Sequence, residues 1–264
     1  MKIIFTCIVL LSSIHYASAD VTLEFKESTS KDLIIYTIKD NKLKFTQSTQ
    51  DRINLFDSKK PTFVSFDPKS GLSSIFNNNV LKQRVSQLTQ QRLKKLSQVE
   101  RKLEKKLQTM TPEEQQAGES LINILKYPDM YGEHTLLKVK KSDTSKQILN
   151  TTCQVYEVYR SNKLIKEFCM ASKRSLKLSS EDYLTQRSFY AFNYKMQSQL
   201  MIALGNTRFS LTDYDKHKID GVLIESIDYK DLAIQQHLKL NSISLKKVNA
   251  SEFALPEADK TPKQ

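Results

Sequence analysis

The sequence predicts an α+β protein in which an antiparallel sheet is interrupted by a helical hairpin. Three observations carry this. Short apolar runs of even spacing, bounded by turn residues, open and close the chain. The stretch 73–109 contains neither proline nor glycine and is dense in Leu, Lys, Gln and Arg, all good helix formers. Finally, Cys153 and Cys169 stand 16 positions apart, with the turn-prone Ser161-Asn162-Lys163 between two β-rich runs.

Taken in order, the chain begins with a cleavable secretory signal. Lys2 supplies a positive start, Ile3 to Ile14 an apolar run, and Ala17-Ser18-Ala19 a small-residue cleavage site. The mature chain then begins at Asp20. The apolar run falls short of the ~20 residues that span a bilayer, and no later segment could span one. Cys7 leaves with the signal and keeps Cys153 and Cys169 as an even pair. An exported pair at hairpin spacing is expected to be bridged, and a structural zinc site lacks its histidines. Periplasmic or secreted localisation follows.

Val21–Lys26, Leu33–Lys39, Leu43–Ser48, Ile53–Asp57 and Phe63–Asp67 read as strands of a meander with one apolar face. Lys39-Asp40-Asn41-Lys42 suits a tight turn. From about Ser73 to Tyr127 the pattern is helical, and this is the expected insertion. Leu81, Val85, Leu88, Leu96, Val99, Leu103, Leu107 and Met110 mark one stripe, which Arg92 interrupts. Thr111-Pro112-Glu113-Glu114 then starts a second helix, Pro112 to Lys126, with a cap, a first-turn proline and an acid at the third position. Strands resume at Leu136–Lys141, Cys153–Arg160 and Leu164–Met170. A helix capped by Ser179 or Ser180 runs to Ala203 and closes at Gly205. Gly221–Tyr229 and His237–Val248 read as the final strands. Residues 20–258 thus form one domain, followed by a polar tail, 259–264.

The chain carries 41 basic against 29 acidic residues, net +12, and +11 once Lys2 is removed with the signal. Such a surplus either serves solubility or meets acidic partners, such as anionic lipid headgroups of the envelope or cell-surface polymers. Nine basic residues and two acids lie between Lys82 and Lys106. Without interleaved aromatic residues for base stacking, this is not a nucleic-acid surface. It reads as a solvated helix face or a docking face for anionic lipid.

Glycines scattered at 71, 118, 132, 205 and 221 build no dinucleotide fingerprint, phosphate loop or nucleophile elbow. No cofactor is implied. Ser28-x-x-Lys31 and Ser244-x-x-Lys247 are chance spacings in a Ser- and Lys-rich chain. Asp213, Asp215 and His217 would share a face on an extended segment, as a metal site or as a polar turn. His134 and His237 have no companions. Asn150-Thr-Thr152 and Asn249-Ala-Ser251 fit the glycosylation pattern.

The opening Asp20-Val21-Thr22 strand, Cys153-Gln-Val-Tyr-Glu-Val with Glu167-Phe-Cys169-Met-Ala, Leu176-x-Leu178-Ser179-x-Glu181-Asp182 and Ser251-Glu-Phe253-Ala-Leu255-Pro256 together resemble a family of secreted bacterial proteins. That family is similar to the periplasmic lipoprotein carriers of the LolA/LolB type. The resemblance implies a half-open, barrel-like antiparallel sheet with helices closing its concave side around acyl chains. An exported, non-enzymatic protein binding an apolar or acyl-chain ligand is the reading it supports. The alternatives are a structural or interaction protein of the cell envelope that uses the basic hairpin, and a hydrolase with an unadvertised site. Tyr36, Phe45, Phe56, Phe63 and Phe66 are the candidate ligand-binding residues. They either line a cavity or pack beneath the helices.

Overall fold

The structure, a computed structural model, describes residues 20–254 apart from 108, 207, 208 and 232. The signal at 1–19 and the tail at 259–264 lie outside the described residues. The first meander comprises β1 (Val21–Glu27), β2 (Leu33–Lys39), β3 (Lys42–Gln47), β4 (Gln50–Asp57), β5 (Thr62–Asp67) and β6 (Leu72–Asn77). Helices α1 (Asn78–Leu107) and α2 (Pro112–Lys126) follow, then a single turn, α3 (Pro128–Tyr131). A second meander holds β7 (Leu137–Ile148), β8 (Thr151–Arg160) and β9 (Lys163–Ala171). Helix α4 (Ser180–Ala203) separates it from β10 (Val222–Lys230) and β11 (Ala233–Ser244).

Among the described residues the strands form one antiparallel, 11-stranded sheet ordered β6-β5-β4-β3-β2-β1-β11-β10-β9-β8-β7. Within each meander, neighbours in sequence are neighbours in space, and β1 pairs with β11 to join the two. The sheet is not closed into a barrel: β6 and β7 are its edges. The hairpin α1–α2 therefore joins one edge of the sheet to the other.

Local chemistry explains the turns. Asp40 and Asn41, Leu149 and Asn150, and Ser161 and Asn162 all have positive φ at both positions, the backbone of a two-residue hairpin turn. Asn and Asp tolerate that conformation better than most side chains. Asn77 Oδ1 accepts from the amides of Asn79 and Val80 and starts α1. Thr111 and Glu114 form a reciprocal capping box on α2. Ser179 caps α4 by accepting from the Asp182 amide at 3.0 Å.

Two expectations need correcting. The helical segment begins at Asn78 rather than Ser73, because 72–77 pairs with β5 in full register, Phe63 opposite Phe76 and Val64 opposite Ile75. The last strand runs Ala233–Ser244 rather than His237–Val248, since β11 pairs with β10 from Ala233 onward, with Lys230 opposite Ala233. The bridge between Cys153 and Cys169 is present, with Cα atoms 5.5 Å apart. It runs diagonally: Cys153 pairs with Ala171, and Cys169 with Val155.

Apolar side chains gather in three clusters. One joins β1, β8, β9, β10 and β11 with Leu176 and Leu178. A second sets Ile38, Leu43 and Phe56 against Phe189 and Phe192 of α4. The third joins Val158, Phe168 and Met170 to Ile219. Among the described residues Leu81 and Leu96 are the buried side chains of α1, whereas α2 buries none fully.

Candidate functional site

The face of the sheet that α4 covers is lined with rings. In register, Tyr36 stands opposite Phe45, Phe56 opposite Phe63, and Phe63 opposite Phe76, so these side chains share a face. Tyr36 lies 5.7 Å from Phe45, and Phe45 stacks on Phe63 at 5.9 Å. Helix α4 lowers Phe189 into this array, 5.5 Å from Phe56, 5.9 Å from Phe45 and 6.2 Å from Tyr36. Phe192 sits 5.4 Å from Phe56.

Of the five candidate residues, Phe45, Phe56 and Phe63 belong to this packed layer. Tyr36 belongs to it and also borders a cavity. Phe66, three residues beyond Phe63 on β5, falls on the opposite face and pairs with Ile53 and Ser73.

The cavity that Tyr36 borders is an aromatic chamber of 190 Å³ between the sheet and α4. Phe189, Tyr190, Asn193 and Tyr194 of α4, Lys166 of β9, Leu223 of β10, and Leu211, Thr212 and Tyr214 of the strand-free stretch before β10 complete its walls. Burial pushes the Tyr36 hydroxyl up to about 12 and drives Tyr190 and Tyr214 in the same direction. These phenols stay neutral, apolar in body and polar at the tip. Tyr190 accepts a hydrogen bond from Gln186 at 2.8 Å. Thr212 Oγ1, on the chamber wall, is buried and makes no hydrogen bond.

Beside the chamber lies a larger polar cleft of 560 Å³, walled by Glu27, Arg160, Ile165, Ser210, Asp228, Tyr229, Lys230, Gln235 and Gln236. Arg160 donates to the Phe209 carbonyl at 3.1 Å, and its Nε is buried with no hydrogen-bond partner. Glu27 accepts from Thr29 and Ser30 at 2.9 and 2.6 Å. Between chamber and cleft stand residues 210–212 and the ion pair of Lys166 with Asp228, 3.2 Å long. Lys166 borders the chamber and Asp228 the cleft. A third space, a 510 Å³ groove, lies where Leu55 and Val64 meet Phe253.

Asp213, Asp215 and His217 are engaged separately. Asp213 Oδ1 accepts from the amides of Asp215 and Lys216, which closes a polar turn. Asp215 pairs with Arg187. Burial, aided by Lys216, holds His217 below the usual histidine range. Among the described residues no group of His, Cys, Asp and Glu is placed to hold a metal ion.

Sequence reasoning missed most of the chamber. One signal was available: the run Phe189-Tyr190-x-Phe192-x-Tyr194 puts four rings on two adjoining helix faces. The contributions of Lys166, Arg160 and Asp228 had no local signal, because they depend on strand order.

No family model matches the chain, and no curated protein matches it. Among solved structures, the chain is similar to PNGF-II in two space groups, with TM-scores of 0.38 and 0.37 at 7% and 8% identity. Each alignment covers 89% of this chain, which spans only 29% and 30% of the PNGF-II chains. Likeness at that level supports no conclusion about this chain.

Proposed function

We propose that the protein is an exported, non-enzymatic carrier that holds an amphiphile with an apolar tail between its sheet and α4. The observation that carries this is an aromatic chamber and a polar cleft whose linings adjoin at residues 210–212 and at the Lys166–Asp228 pair. The chamber's rings, with Leu211 and Leu223, favour a hydrocarbon tail by removing it from water, at about 0.8 kcal/mol per CH₂. The cleft offers Arg160, Ser210, Gln235 and Gln236 to a polar head.

The chamber, at 190 Å³, is smaller than the roughly 300–1,000 Å³ of ordinary ligand pockets. A chain longer than the chamber holds would extend past residues 210–212 into the cleft. The Cys153–Cys169 bridge favours an oxidising compartment, in keeping with export to the periplasm or beyond. An open sheet whose one face is covered by a helix is also the arrangement that a carrier of the LolA/LolB type would have.

The test is to strip the purified protein of lipid and titrate a fluorescent fatty acid. Saturable binding is expected. Leu223→Trp, which fills the chamber, should weaken it at least tenfold, about 1.4 kcal/mol, while the melting temperature holds. No saturable binding, or binding indifferent to that substitution, defeats the reading.

A further inference from the structure

The solvent face of α1 is built for a negatively charged surface. At 100° per residue, Arg84, Lys94, Lys95, Arg101, Lys102, Lys105 and Lys106 fall within an arc of about 140°. All seven are exposed. The remaining exposed residues on the arc are Val80, Gln83, Gln87, Gln91 and Gln98, so it contains no acidic residue. Among the described residues none of the seven cations forms an ion pair. The acid that α1 does engage, Glu100, lies off the arc and takes Lys126 of α2. Leu81 and Leu96, which pack, lie off the arc. From Arg84 to Lys106 the stripe is about 33 Å long, at 1.5 Å per residue.

A solvated helix face does not need this composition. Exposed helices ordinarily intersperse both signs and gain from i,i+4 pairs of opposite charge, whereas like charges at that spacing repel. Lys94 with Gln98 and Lys102, and Arg101 with Lys105, form a row that only an external anion neutralises.

We propose that this stripe docks the protein onto an anionic lipid bilayer. Charge complementarity carries the assignment, and the composition of the stripe selects the partner. A protein partner would need a desolvated anchor of aromatic or large apolar side chains at the centre, and the middle of the stripe has none. Nucleic acid would need rings for stacking. A fluid layer of anionic headgroups instead adapts to irregularly spaced, flexible cations and asks only for charge. The docking surface is separate from the chamber, so it stands or falls independently of the ligand reading.

The experiment is flotation of the purified chain with vesicles of phosphatidylcholine containing about 30% phosphatidylglycerol, at low and physiological salt. The chain should bind these vesicles and not pure phosphatidylcholine, and salt should release it. Changing Lys94, Lys95, Arg101 and Lys102 to Gln preserves helix propensity and should weaken binding at least about tenfold. An equal loss of charge elsewhere, Lys138, Lys141, Lys177 and Lys239 to Gln, should weaken it far less. Leu223→Trp should leave it unchanged. Circular dichroism and melting of each variant show that the fold is kept. Equal weakening by the two fourfold variants would mean that net charge alone acts and would overturn the proposal. So would stripe-dependent binding to heparin without binding to vesicles, which would assign the face to a soluble polyanion.

Discussion

Phe189→Ala separates the two roles that the rings beneath α4 can play. Phe189 is 5% exposed and lies within 6.2 Å of Tyr36, Phe45, Phe56 and Tyr190. Truncating a buried Phe costs about 3–5 kcal/mol. Each lost aromatic pair adds about 0.5–1.5 kcal/mol beyond area alone, which places this site near the upper end. With a urea m-value of about 2.5 kcal/mol/M, a loss of 4 kcal/mol lowers the unfolding midpoint by about 1.6 M. Phe189 also borders the 190 Å³ chamber, so the same change enlarges it. The variant should therefore be much less stable, yet still bind the fluorescent fatty acid. Ligand at about 100 times its Kd should return roughly 2.7 kcal/mol of stability. Urea titrations with and without the fatty acid read both effects. A loss below about 1 kcal/mol would show that the ring is not packed as described. A destabilised variant that no longer binds would show that Phe189 holds the ligand instead of excluding it.

Two further outcomes are expected. Glu225, 6% exposed, accepts from Lys146 at 2.9 Å and lies 3.0 Å from His237 Nε2. Burial pushes its carboxyl up, but the hydrogen bonds and charges of Lys146 and His237 outweigh this and hold it below its ordinary value of 4.5. A depressed acid stabilises the fold fully above that value and loses the benefit as pH falls through the folded value. Glu225→Gln should thus cost about 2 kcal/mol near pH 7, and the gap from the parent should close in urea titrations below pH 4.5; a gap independent of pH refutes this. Replacing 78–126 by a flexible linker must bridge opposite sheet edges, ten strand spacings or about 48 Å along the sheet. A linker of about 20 residues reaches that far. It should leave a cooperative, lower melt, since the contacts of Leu81 and Leu96 are lost; an unfolded product would show that the hairpin is integral to the sheet.

Local patterns made most of the fold legible. Strands β1 to β5 and β8 announced themselves by alternation, α2 by its capping box, and the cysteine hairpin by spacing and turn. Strand β6 did not, because Leu72-Ser-Ser-Ile-Phe-Asn77 runs into a helix-forming stretch without a break; only pairing with β5 makes it a strand. The candidate rings were found on the strands, but their fate depended on α4. Phe189 and Phe192 fill the space over Phe45 and Phe56, and the remaining room lies farther along, at Tyr36 and Leu223. The cleft depends on Arg160 and Asp228 being brought near Glu27, an encounter of residues more than a hundred positions apart.

The pairing of β1 with β11 sets the timetable of folding. Leu23 meets Ile243 only after nearly the whole chain is present, whereas β2 to β6 can add to β1 as each is made. Contacts so distant in sequence are slow to form, because a long loop must close before anything is gained. Until then β1 and β10 each present an unpaired strand edge, and such edges invite association with other chains. Loss of as little as the final strand would strand two half-sheets with sticky inner margins, so truncation near the C-terminus should aggregate the protein rather than merely shorten it.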